Sequence, residues 1–68
     1  MFAVLEMADG SNDLAVLHME SATAIVVKHI GDDSFEPLYA VVRGQKTDLP
    51  PCFSLNDEAR EALRYYVA

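Results

Sequence analysis

The stretch HIGDDSFEP, His29 to Pro37, sets Asp32, Asp33 and Glu36 beside the imidazole of His29 in a chain of 68 residues. Such groups suit three kinds of chemistry: holding a cation, moving protons, or presenting negative charge to a partner. Calcium is tested by counting, because an EF-hand loop opening at Asp32 needs Gly at its sixth position and Glu at its twelfth. Pro37 and Arg43 stand there instead. Zinc needs three or four ligands, and the soft donors Cys52, His18 and His29 fall in no zinc-binding spacing. No metal and no cofactor is expected.

Nucleophilic catalysis would call on Cys52 with His18 or His29, since a thiolate needs a neighbouring base or a positive environment. Pro50 and Pro51 place Cys52 just ahead of a helix start, which would favour the thiolate. A lone Cys beside Phe53 reads more simply as a small hydrophobe. Ser11, Ser21, Ser34 and Ser54 lack a G-x-S-x-G setting, and the isolated Gly10, Gly31 and Gly44 form no phosphate loop. A domain of this size also has little room for the cavity of about 300 Å³ or more that small-molecule enzymes use. The expectation is a protein that is not an enzyme.

Charge is the remaining lead. Eleven carboxylates against five Lys and Arg give a net charge of -6, which repels phosphate backbones and attracts basic partners. The carboxylates form three local groups: Asp9 with Asp13; Asp32 and Asp33 with Glu36; and Asp57 and Glu58 with Glu61. If folding joined two groups, the row of charge would fit a groove built for nucleic acid and speed association. Asp32, Asp33 and Glu36 are the first candidates for such contacts, and Asp57, Glu58 and Glu61 the second. Arg43 and Lys46 make a small opposing patch. Acidic turns and helix starts are also what solubility and capping require.

The elements that position these groups follow from periodicity. FAVLEM, Phe2 to Met7, and LAVLHM, Leu14 to Met19, flank the turn formers ADGSND and read as a β-hairpin. Alternation puts Ala3, Leu5, Met7, Ala15, Leu17 and Met19 on one face, expected to be the core. Phe2, Val4, Glu6, Leu14, Val16, His18 and Glu20 share the other, expected to be open. In SATAIVVKHIG the β-branched run favours a strand, while Ala22, Ile25, Val26, His29 and Ile30 are spaced as a helix face. Ser21 as cap and Gly31 as closing residue favour the helix. PLYAVVRG reads as a strand, Pro50 and Pro51 as an extended connection, and SLNDEAREALRYYVA as an amphipathic helix capped by Ser54 or Asn56.

The expected fold is therefore one α+β domain over residues 1–68, ordered ββαβα, with a three-stranded, mainly antiparallel sheet and two helices on one face. The alternative is a four-stranded antiparallel sheet with one C-terminal helix. On the expected open face Phe2, Val4, Leu14 and Val16 form an apolar interface for a partner or a second copy.

The apolar fraction of 51% is far from the composition of a disordered chain, so burial drives folding. Cys52 alone makes no internal disulfide, in keeping with a reducing compartment. No basic n-region precedes the first apolar run, which Glu6 interrupts, so neither a signal peptide nor a membrane span is expected. A cytoplasmic location is expected.

In general character the chain is similar to small acidic inhibitors encoded by phages, anti-CRISPR proteins among them. That resemblance implies an inhibitor of DNA-mimic type, docking on the basic surface of a larger, nucleic-acid-handling protein. The alternative function is a homodimeric structural or regulatory module, such as an antitoxin-like subunit.

Overall fold

The computed structural model describes all residues from Met1 to Ala68. Five strands, β1 (Phe2–Glu6), β2 (Leu14–His18), β3 (Thr23–Gly31), β4 (Ser34–Val42) and β5 (Gln45–Thr47), precede one helix, α1 (Asp57–Val67). Each strand pairs antiparallel with the next, so the sheet is a meander in the order β1-β2-β3-β4-β5. This matches the alternative expectation of a sheet with one C-terminal helix, with a fifth short strand added.

The ββαβα order is corrected at Ser21 to Gly31, where a turn at Ser21 and Ala22 leads into strand β3 rather than a helix. Thr23, Ile25 and Val27 point to the α1 side, while Ala24 and Val26 point to the other. A strand apolar on both faces reads as a continuous hydrophobic run, and periodicity does not separate such a run from a buried helix. Ser21 does not cap a helix. It lies in the β2–β3 turn, where Ala22 takes a left-handed φ of 55° and donates its N–H to His18 O at 3.0 Å.

The polar run after Gly44 becomes β5 through tight-turn chemistry. Val42 pairs with Gln45 across the two-residue loop Arg43-Gly44, where both residues have positive φ, 52° and 82°. That is the geometry whose twist matches two antiparallel strands. Pro37 is tolerated in β4 because β5 pairs only Ala40 to Val42 and leaves Pro37 at an open edge. Beside it the register shifts, leaving Leu38 without a partner on β3.

Alternation on β1 and β2 sorts the side chains as expected, but the covered and open faces are the reverse of the expected ones. Helix α1 lies on the face carrying Phe2, Val4, Leu14 and Val16. Leu14, Val16 and Val27 form the core with Ala59 and Leu63 of α1, and Val27 and Leu63 are wholly shielded from solvent. Phe2, Val4, Ile25, Phe35, Leu55 and Val67 pack around them. Asn56 starts α1 as its cap, with Oδ1 accepting the N–H of Ala59 at 2.8 Å.

The opposite face has no second layer. Cross-strand pairing lays out an upper row, Leu5, Ala15, Val26 and Tyr39, and a lower row, Ala3, Leu17, Ala24 and Val41. Lys46 ends the lower row on β5 and stands 4.4 Å over the Tyr39 ring. No helix is long and apolar enough to cross a membrane.

Candidate functional site

The meander decides which carboxylates share an end. Strands alternate in direction, so the β1–β2 and β3–β4 turns leave the sheet together, and the β2–β3 and β4–β5 turns leave at the other end. The first end therefore carries Asp9 and Asp13 from one turn, Asp32 and Asp33 from the other, and Glu6 at the last position of β1. Neither turn contains Lys or Arg. Arg43 and Lys46 belong to the opposite end.

Local bonding holds this acidic end in shape. The Ser11 N–H donates to Asp9 Oδ1 at 3.0 Å, and the Asp13 N–H donates to Ser11 Oγ at 3.2 Å. Hydrogen bonding from Ser11, through its side chain first and its backbone second, keeps the Asp9 carboxyl below the usual carboxylate range. Asp9 thus stays ionised to lower pH than a free aspartate. On the neighbouring strand His29 stacks on Phe35 with centroids 4.9 Å apart, and its Nε2 lies 2.8 Å from the Asp32 carbonyl oxygen. A protonated Nε2 donates that bond and ties the imidazole to the turn. Glu6 accepts a hydrogen bond from the Tyr66 hydroxyl, anchoring the end of α1 to the same edge. That bond, first, with some burial, raises the Tyr66 phenol above its ordinary value.

The two carboxylate groups ranked first and second stand in different surroundings. Asp32 and Asp33 are exposed on their turn, while Glu36 sits on β4 opposite Lys28 of β3. Asp57, Glu58 and Glu61 are exposed on α1, but Arg60 and Arg64 alternate with them, and Arg64 pairs with Glu61. Asp33 and Glu61 line one shallow hollow together with Arg64 and Tyr65. The charge is thus interrupted by Arg60 and Arg64 on the helix side, while at the turn end Lys28 of β3 stands between the two acidic turns and Arg64 lines the same hollow as Asp33. Sequence reasoning grouped Asp9 with Asp13 without ranking them. The signal that raises them is strand count: with β3 a strand, their turn and the Asp32 turn fall at one end.

The apolar interface expected from Phe2, Val4, Leu14 and Val16 is corrected. Leu14 and Val16 are core residues, and Phe2 and Val4 pack against them beneath α1. The helix takes this face because it carries the larger side chains. Alternation alone states only which residues lie together.

A second constellation deserves a chemical test. His18 Nδ1 lies 2.7 Å from Ser21 Oγ, and His18 Nε2 lies 3.1 Å from Glu20 Oε1, an order resembling a hydroxyl, base and carboxylate relay. Glu20 is committed elsewhere, because the Met1 amine bonds it at 2.9 Å and, as the first cause, holds its carboxyl below the ordinary range. None of the surface hollows is lined by these residues. The two contacts tie the end of β2 to the residues of the β2–β3 turn and clamp that turn. Cys52 is exposed on the connection to α1, and no three His, Cys, Asp or Glu side chains gather as metal ligands.

Comparison with known proteins returns no match: no family model, no curated protein and no solved structure aligns with the chain.

Proposed function

We propose that the chain is a small binding protein, not an enzyme, whose acidic end docks on a basic, nucleic-acid-handling surface of a larger protein and inhibits it by charge mimicry. The observation that supports this reading is the convergence of Glu6, Asp9, Asp13, Asp32 and Asp33 on one end of the sheet, with the cations Arg43 and Lys46 at the other. Charge separated in this way orients the molecule during encounter and raises the association rate, more so at low salt. Asp32 and Asp33 stand at the centre of the contact with Asp9 and Asp13 beside them. Asp57, Glu58 and Glu61, partly neutralised by Arg60 and Arg64, contribute less.

The test is affinity capture from a bacterial lysate at low and high salt, followed by identification of what elutes and by competition with nucleic acid. The expected result is a nucleic-acid-binding protein retained at low salt, displaced by nucleic acid, and lost with the double variant Asp32→Lys, Asp33→Lys. Capture that survives the double variant at low salt would overturn the electrostatic reading.

A further inference from the structure

The two edges of the sheet are finished differently. At one edge β5 has only three residues, Lys46 stands in its middle, and beyond its reach Pro37 lies on the open side of β4. Shortness, lysine and proline are what keep an edge from pairing with another chain. At the other edge β1 has none of these. Its five residues, FAVLE, pair with β2 without a bulge, and its one charge is Glu6 at the last position, whose carboxylate accepts the Tyr66 hydroxyl.

Backbone direction shows what this edge offers. The Met19 N–H donates to Met1 O at 2.9 Å and the Met7 N–H donates to Asp13 O at 3.2 Å, so the odd-numbered residues turn their backbone groups toward β2. The groups of Phe2, Val4 and Glu6 therefore point away from the sheet, where no strand follows. Beside them Phe2 and Val4 line a wholly apolar hollow with Ala62, Tyr65 and Tyr66 of α1. Large apolar side chains gather here in solvent: Leu5 is 51% exposed, Tyr65 88% and Tyr66 42%. We infer that the β1 edge is a self-association site, at which β1 of a second copy adds antiparallel to β1 and joins the two sheets into one.

A repeated tripeptide selects a second copy of this chain over any other strand. β2 presents Ala15, Val16 and Leu17 to β1, giving the pairs Ala3 with Leu17, Val4 with Val16 and Leu5 with Ala15. β1 carries the same Ala-Val-Leu at residues 3–5. A two-fold axis perpendicular to the sheet at Val4 sets Ala3 against the second copy's Leu5, Val4 against its Val4, and Leu5 against its Ala3. The side-chain pairs are those β1 already makes with β2, on the same faces. Phe2 then stands opposite the second copy's Glu6, so every outward N–H and C=O of Phe2, Val4 and Glu6 finds a partner. The symmetry makes each contact off the axis occur twice.

Charge permits this arrangement. Two copies of net charge -6 repel, and least so when their acidic ends point apart. The axis reverses the strand direction, so the acidic ends face opposite ways along the joined sheet. Both helices stay on one face, with the tyrosines of each flanking the junction. A strand of five residues is about 17 Å long and a helix on a sheet roughly 20 Å deep, so a pair buries on the order of 800 Å² in total. That is the range of weak contacts, and the dimer is accordingly reversible and dependent on concentration.

Sedimentation velocity of the full chain from about 1 μM to about 1 mM, under reducing conditions, tests this, and amide hydrogen exchange read by NMR at both ends of that range locates the contact. The expected result is a monomer that becomes a dimer, with the Val4 and Glu6 amides open to exchange when dilute and protected when concentrated. The amides of Ala3 and Leu5, which face β2, are protected in both. Val4→Pro removes an N–H that the single chain leaves free, where an edge strand tolerates proline. It should weaken the dimer about thirtyfold or more, because both copies lose their central hydrogen bond at once. Far-UV circular dichroism checks its fold, and should the proline disturb β1, the exchange pattern of the unaltered chain decides. Gln45→Ala, on the β5 edge, should leave the dimer unchanged. A monomer at every concentration, a dimer whose Val4 amide exchanges as freely as in the monomer, or a folded Val4→Pro that dimerises as well as the unaltered chain would each overturn the inference. The dimer leaves Asp32 and Asp33 free, so capture of a basic partner by the acidic end succeeds or fails independently of this result.

Discussion

The two faces of one sheet differ in a way that composition hides. Both are apolar along β1 to β3, yet one buries Leu14, Val16 and Val27 under α1, while the other leaves Leu5 half in solvent. The side chains explain the choice. The helix face offers Phe2, Val4, Leu14, Val16, Ile25 and Val27, bulky enough to fill the space beneath a helix. The other face interleaves the alanines Ala3, Ala15 and Ala24, which offer a helix less to pack against. The difference teaches that alternation groups the residues of a face without saying which face the single helix covers.

The largest effect separating the faces should come from truncating the core. Leu63→Ala removes a wholly buried side chain between helix and sheet and should cost about 2–5 kcal/mol. In dilute solution Leu5→Ala, a loss of the same atoms from the uncovered face, should cost under about 1 kcal/mol. Urea unfolding of both variants makes the comparison, and equal costs would show that the second face is covered even in the single chain.

Next in size are the devices that fix the sheet and helix in place. Asn56→Ala leaves the Ala59 N–H without its 2.8 Å partner and should cost about 1 kcal/mol. Gly44→Ala puts a Cβ at φ 82° in open space, so its cost, about 1 kcal/mol, is purely conformational. Because β5 touches the core little, thermal unfolding should show the cap variant as the more cooperative loss, and hydrogen exchange should show the turn variant opening only β5 and its pairing with β4.

The smallest effect concerns the link between α1 and the edge of the sheet. The folded-state value of Tyr66 is raised because its neutral hydroxyl donates to Glu6. A raised value means that the bond's contribution is present below the ordinary phenol range and is lost as pH rises through the folded value. Stability measured from neutral to strongly alkaline pH should therefore fall less steeply in Tyr66→Phe than in the unaltered chain. Identical slopes would show that the bond adds nothing. At acid pH the sign reverses for Asp9, whose lowered value makes its contribution fade only as pH falls through that value.

Much of the fold was legible one segment at a time. The β1–β2 hairpin followed from Asp9-Gly10 between two alternating runs, and α1 from Asn56, its acidic first turn and its apolar stripe. The segment from Thr23 to Gly31 was not, because a central strand apolar on both faces carries the same signal as a short buried helix. β5 was hidden for another reason: Gln45, Lys46 and Thr47 form a strand through the left-handed pair Arg43-Gly44, not through hydrophobic pattern. The acidic site was legible as three groups of residues and illegible as an arrangement, since that depended on whether β3 was a strand.

By itself the sequence determined local matters: which residues alternate together, where the chain turns, where the helix is capped, and that the net charge is -6. These rest on backbone stereochemistry and on neighbours within a few residues. Only the tertiary structure decided that α1 covers Leu14 and Val16 rather than Ala15 and Leu17, and that Asp9 and Asp32 share an end. Those outcomes depend on the number of strands and on the one face the helix can fill, which are properties of the packed whole.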